Sequence, residues 1–121
     1  MKTAAWFAVG CCVLASAGCE RGSAEVATGG NAQRGAEVIG QAACGSCHTI
    51  PGIRSAHGVV AASLAAFSRR TFIAGELPNT PANLVRWIQD PPAVEPGTAM
   101  PKLGLSDQQA RDVAAYLYTL R

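Results

Sequence analysis

Apolar residues recur at helical spacing in three stretches of the chain, separated by polar or Pro- and Gly-rich segments. The clearest is the last, where Ala110, Val113, Ala114, Leu117 and Leu120 fall on one helical face with Tyr116 beside them. Ser106-Asp107-Gln108-Gln109 precedes it in the form of a capping box, which satisfies the first free backbone N–H groups of a helix. A second stretch places Leu84, Val85, Trp87 and Ile88 inward, with Arg86 and Gln89 outward. Thr80 can cap it, Pro81 suits its first turn, and Asp90-Pro91-Pro92 ends it. The third begins near Ala32 behind Asn31, another capping residue, and brings Val38 and Ile39 one turn after Arg34-Gly35. A glycine inside a helix costs about 1 kcal/mol against alanine, so Gly35 implies close approach of another backbone, unless the helix starts only after it. No segment alternates like a strand. The pattern predicts an all-α fold with three main helices.

The stretch ahead of these helices reads differently. Lys2 followed by the apolar run Ala4 to Ala17 is too short to span a bilayer but suits the core of a signal peptide. Ala15-Ser16-Ala17-Gly18-Cys19 is similar to a lipobox, which would make Cys19 the lipidated N-terminus of the processed chain. Ser16 stands where a large aliphatic residue is usual, and Ala15-x-Ala17 also suits ordinary signal peptidase. From Glu20 to Gly30 there is no apolar period, only small and polar residues, as in a flexible linker. The expected division is therefore 1–18 signal peptide, 19–30 linker carrying Cys19, and 31–121 a single folded domain.

Composition narrows the picture. Hydrophobic residues make up 49% and charged residues 15%, which is a globular balance, and the net charge is only +2. Lys102 is the one lysine of the expected domain, so neither a nucleic-acid surface nor a docking ring of lysines is indicated. A domain this small has little apolar core of its own, and a large apolar cofactor would add to it.

Five cysteines are present, two of them in the leader (Cys11 and Cys12) and a third at Cys19. The remaining pair stands in Cys44-Gly45-Ser46-Cys47-His48, a C-x-x-C-H motif that reads as a covalent attachment site for c-type haem. Two thiols at this spacing can add to the two vinyl groups of one porphyrin, and the adjoining histidine then reaches the iron. A zinc site would want four ligands at closer spacing, yet His48 and His57 stand nine positions apart. A thioredoxin-like dithiol would sit near a βαβ pattern, which is missing from the sequence.

Met100 is the natural partner of His48 on the iron. Apart from Met1 it is the only methionine, and a thioether is a soft ligand suited to haem. It sits in a stiff segment: Pro91, Pro92, Pro96 and Pro101 surround it, and Glu95-Pro96-Gly97-Thr98 has the residues of a type II turn. His57, in a Gly-containing loop, is the rival ligand, with a surface role favoured. Arg69 and Arg70 are candidates to pair with a haem propionate, and ordinary solvated charge is the alternative reading.

Taken together, these residues resemble a class I monohaem cytochrome c over 31–121. The resemblance rests on the haem motif, on Asn79-Thr80-Pro81-Ala82-Asn83-Leu84-Val85-Arg86-Trp87-Ile88-Gln89-Asp90-Pro91, on Pro96-Gly97-Thr98-Ala99-Met100-Pro101, and on Val113-Ala114-Ala115-Tyr116-Leu117. It implies one covalent haem c attached through Cys44 and Cys47 and ligated by His48 and Met100. It also implies propionate hydrogen bonds from Thr98 and Asn79, and Trp87 packed near the methionine sulfur. Two departures stand out. The family often has Gly-Pro-x-Leu after the haem motif, where the proline carbonyl accepts the Nδ1 proton of the axial histidine; here the stretch is Ala61-Ala62-Ser63-Leu64. Ile39 stands where an aromatic residue often packs between the terminal helices.

The function this implies is one-electron transfer without substrate chemistry. The carrier is expected on the periplasmic side of a bacterial membrane, since such haem is attached outside the cytoplasm. It would be lipid-anchored or else soluble, exchanging electrons with a cytochrome oxidase, a bc1-type complex or a dehydrogenase. The alternatives are a haem c subunit of one fixed oxidase or dehydrogenase complex, and a gas sensor or peroxidase if Met100 is labile.

Overall fold

The computed structural model describes residues 27–121. The leader, Cys19 and most of the linker lie outside the described residues. Five helices follow in order: α1 (Ala32–Gln41), α2 (Cys44–Cys47), α3 (Pro81–Gln89), α4 (Pro91–Val94) and α5 (Asp107–Thr119). All three expected helices are present with their expected caps. The side chain of Asn31 accepts from Arg34 N, that of Thr80 accepts from Asn83 N, and Ser106 and Gln109 form both halves of the capping box. Pro91 does not leave a loop behind α3. Pro91 and Pro92 start a new single turn instead, as proline's fixed φ and missing N–H allow at a first helical position.

The terminal helices α1 and α5 make the most extensive helix pair in the fold. Gly35 is what lets them meet. A Cβ at this position would lie 2.0 Å from the backbone oxygen of Asp112, so only glycine fits. Ile39, one turn on, is 1% exposed and takes the place between the helices where the family often has an aromatic ring. Asp112, only 3% exposed, fastens the crossing: it accepts from Asn31 N, from Arg34 Nε and Nη2, and from Gln108 Nε2.

Two expectations need correction. The linker is expected to run to Gly30, but among the described residues the packing already includes Thr28, which is 4% exposed. Arg111 Nη1 donates to Thr28 O, Gln108 Nε2 donates to Gly29 O, and Gly30 lies against the backbone of Arg111. Three small residues have no periodicity, so backbone docking of this kind leaves no mark on an apolar pattern. The fold also contains strands. Phe72–Ile73 (β1) and Leu77–Pro78 (β2) pair antiparallel around Ala74 and Gly75, both at positive φ, with Glu76 N donating to Ile73 O. Positive φ at both central positions is the primed turn that suits hairpins. Alanine at the first of them, and strands of two residues, give no alternation to read. The architecture remains helical.

Candidate functional site

The helices and the long connections between them enclose a cavity of about 440 Å³, within the usual range of roughly 300–1,000 Å³ for cofactor sites. Its inner wall is apolar: Ile39 from α1, Leu84 and Ile88 from α3, and Val113 and Leu117 from α5. Phe67 and Ile73 close another side.

The haem motif supplies one part of the wall. Cys44, Cys47 and His48 all line the cavity, the two cysteines being the first and last residues of the single turn α2. Gly45 and Gly58 allow this turn to nest against the following loop. A Cβ on Gly45 would lie 2.5 Å from Ser55 O, and one on Gly58 would lie 2.5 Å from the Cys47 carbonyl carbon. Burial pushes the Cys44 thiol up, towards the neutral form that an apolar wall favours. His48 is oriented from behind: its Nδ1 lies 2.7 Å from Ala62 O. A carbonyl can only accept, so Nδ1 carries the proton and Nε2 keeps its lone pair. The expected role of Ala62 in place of the family's proline is thus present as geometry.

The loop after α4 supplies the other part. Thr98, Ala99, Met100 and Pro101 line the cavity. Thr98 N donates to Glu95 O, which closes the expected turn, but Gly97 has no positive φ, so the turn is not type II. The Glu95 side chain instead accepts from Gly97 N, and Thr98 Oγ1 accepts from Met100 N. Two side-chain acceptors hold this loop in shape from within, and the Thr98 hydroxyl keeps its own proton to donate.

The remaining candidates divide. Trp87 and Arg70 are on the cavity wall. Arg70 is held there on two sides: Nη2 donates to Ser63 O, and its guanidinium carbon lies 5.5 Å from the centre of the Phe67 ring. Arg69 is exposed and off the wall. Asn79 is also off the wall, contrary to the propionate role expected of it. Its amide is already committed, donating to Phe67 O and Arg70 O and accepting from the Tyr118 hydroxyl. His57 is exposed and off the wall, bridged through its backbone to Thr49. Sequence reasoning missed the Phe67–Asn79–Tyr118 cluster, whose members are far apart in the chain and have no shared period. At the rim, Val59 and Val60 are 87% and 82% exposed, and Val60 also lines the cavity. Lys102 is paired with Asp90 at 2.6 Å.

The donor set suits a haem. Two thiols, an imidazole nitrogen turned free by its partner and a thioether share one apolar cavity, and the wall carries Arg70 and Thr98 as donors for carboxylates. Comparison with known proteins agrees. The family model described as Cytochrome c matches residues 32–121. The chain is 34% identical over 91 residues to cytochrome c oxidase subunit 2 of Alkalihalophilus pseudofirmus, covering 74% of this chain and 26% of that protein. It is 34% identical over 89 residues to cytochrome c oxidase subunit 2 of Bacillus sp. (strain PS3), covering 70% and 25%. The chain therefore spans about a quarter of the length of these relatives. The crystal structure of SoxXA from P. pantotrophus is similar in fold, with a TM-score of 0.56 and 25% identity, covering 75% of this chain and 82% of that one. With two thiols, a histidine and a methionine gathered at one apolar cavity and the family matched from α1 to the end of the chain, this protein belongs to the class I cytochromes c, electron carriers with one covalently bound haem c.

Proposed function

We propose that the protein is a one-electron carrier of a bacterial respiratory chain, working on the periplasmic side of the membrane, in which His48 and Met100 would hold the haem iron. The observation that carries this reading is the meeting of both side chains at one cavity from segments 52 positions apart. Haem iron supplies the chemistry, a ferric/ferrous change of one electron. The protein's part is to hold, orient and exclude water. Cys44 and Cys47 would anchor the macrocycle. His48 is held in the Nδ1–H tautomer by Ala62 O, and the turn of Glu95 to Thr98 holds Met100. Thr98 and Arg70 would offer donors to the propionates, and Trp87 shares the cavity wall with the Met100 loop. The apolar wall favours the less charged ferrous state, and the His/Met pair raises the potential further.

Replacement of Met100 tests ligation and function class together. Met100→Ala should keep covalent haem but lose the far-red methionine–iron band and have a lower potential. The native reduced protein should not take up carbon monoxide at neutral pH. Survival of the band in the variant would refute the assignment, and rapid stoichiometric carbon monoxide binding by native protein would favour the sensor or peroxidase reading.

The relatives' names favour a second form of the same function, a haem domain that hands electrons to one oxidase within a fixed complex. Partner choice in either form would draw on apolar contact at the rim more than on a ring of lysines. Val59 and Val60 are large apolar side chains left exposed there, and the one lysine of the domain is already paired. Location follows from Cys19. Diacylation there meets the two-chain threshold for stable membrane binding, so Cys19→Ser should move the protein from the membrane fraction to the soluble periplasm with its haem spectrum unchanged. A native protein that is already soluble, with no lipid mass, would rule the anchor out.

A further inference from the structure

The loop that receives the proton of His48 lacks the proline that would stiffen it, yet its carbonyl is held at 2.7 Å from Nδ1. Backbone bonds pin the two flanks of this loop: Ala61 N donates to Cys47 O, and Leu64 N donates to Thr49 O. Between them the peptide that joins Ala62 to Ser63 is fixed by neither. The next carbonyl, Ser63 O, accepts from Arg70 Nη2. Arg70 is itself anchored at both ends. Its guanidinium rests on the Phe67 ring, and its backbone carbonyl accepts from Asn79 Nδ2 at 2.9 Å. Asn79 in turn accepts from the Tyr118 hydroxyl of α5 at 2.8 Å. A continuous chain of hydrogen bonds thus runs from the C-terminal helix to the carbonyl adjoining the one behind the histidine.

We propose that Arg70 is a positioning residue for His48: braced by Tyr118 and Asn79, it holds the Ala62–Ser63 segment so that the Ala62 carbonyl stays aligned on Nδ1, the task a proline would otherwise perform by restricting the chain. This rests on the reading of His48 as an axial ligand. A stronger Nδ1–H···O bond makes the imidazole a better donor and favours ferric iron, so the brace acts to lower the potential. The brace is independent of any propionate contact. Arg70 has five N–H donors, of which Ser63 O takes one.

The test uses nuclear magnetic resonance and potentiometry on the intact haem protein. In the ferric state the resonance of the Nδ1 proton of His48 should be displaced by the unpaired electron of the iron. A His48 ring without that displacement overturns the ligation reading itself. With the displacement present, the solvent exchange rate of the same proton reads the brace. Arg70→Gln should speed exchange about tenfold, the factor expected for one lost hydrogen bond. Adding Ala62→Pro to that variant should return exchange to near the native rate and lower the potential relative to Arg70→Gln, two proteins of equal charge. Ala62 N makes no backbone hydrogen bond, so proline removes no donor that the fold uses. Tyr118→Phe, a milder change, should speed exchange less but in the same sense, whereas Tyr116→Phe, whose hydroxyl serves Pro51 O, should not. Unchanged exchange in both Arg70→Gln and Tyr118→Phe, or failure of Ala62→Pro to restore it, overturns the proposal.

Discussion

Two glycines of the first helix show how much a single position can weigh. A Cβ at Gly35 would fall 2.0 Å from Asp112 O and 2.6 Å from its carbonyl carbon, and both are backbone atoms of a packed helix that cannot step aside. A Cβ at Gly40 would meet nothing within 4 Å. The same substitution should therefore have opposite signs five residues apart. Gly35→Ala is expected to destabilise the haem protein by about 2–4 kcal/mol, as overpacking between helices does. Gly40→Ala is expected to stabilise it by roughly 0.5 kcal/mol through helix propensity. Guanidinium titration of the two variants checks both, and equal midpoints would show that the helices have room to separate. The sequence already singled out Gly35 as costly in a helix. That the neighbour is a carbonyl of Asp112 could not be read from it, because the partner lies 77 positions away.

At the scale of elements, Asp112 joins the start of α1 to the middle of α5. The Arg34 guanidinium, the Asn31 N–H and the Gln108 amide all favour its charged form, and together they outweigh burial and pull its carboxyl down to about 2 from an ordinary 3.8. A folded-state value below the unfolded one means that the staple stabilises fully above about pH 4. That contribution is lost as pH falls from 4 towards 2. Its size is about 1–2 kcal/mol once the solvent exposure of Arg34 is allowed for. Thermal melts between pH 2 and pH 6 should show a fall in midpoint over this window that Asp112→Asn largely removes. A native profile that matches the variant's would assign acid lability to other carboxylates. A buried aspartate on the apolar face of a helix goes unremarked in a pattern reading, which counts it as a solvated residue between Arg111 and Val113.

For the whole molecule, the main consequence concerns the core. Beside the α1–α5 crossing, the inner faces of α1, α3 and α5 also open on the cavity, so several core side chains double as a wall for the cofactor. Covalent haem should then be part of the folding energy, as binding to the folded state alone requires. Cys44→Ser combined with Cys47→Ser should leave no haem after acid extraction, and the chain should lose its cooperative melt and most of its helical circular dichroism. A well-folded variant without haem would show that the helices can close on themselves.

Local signals alone determined the three main helices, their caps and the haem motif. Asn31, Thr80 and Ser106 cap through bonds to backbone three residues ahead, and the C-x-x-C-H spacing is a covalent requirement within five residues. Chemistry of so short a range is written directly in the chain. Other features waited for the tertiary structure. The turn before Met100 takes its form from the Glu95 and Thr98 side chains rather than from a glycine at positive φ. Asn79 faces Phe67, Arg70 and Tyr118 rather than the cavity. Thr28 belongs to the domain because of Arg111. In each case several conformations or partners suit the residue equally well on its own. The choice between them is made by a donor or acceptor that only folding brings near, since a buried polar group is costly until it finds one.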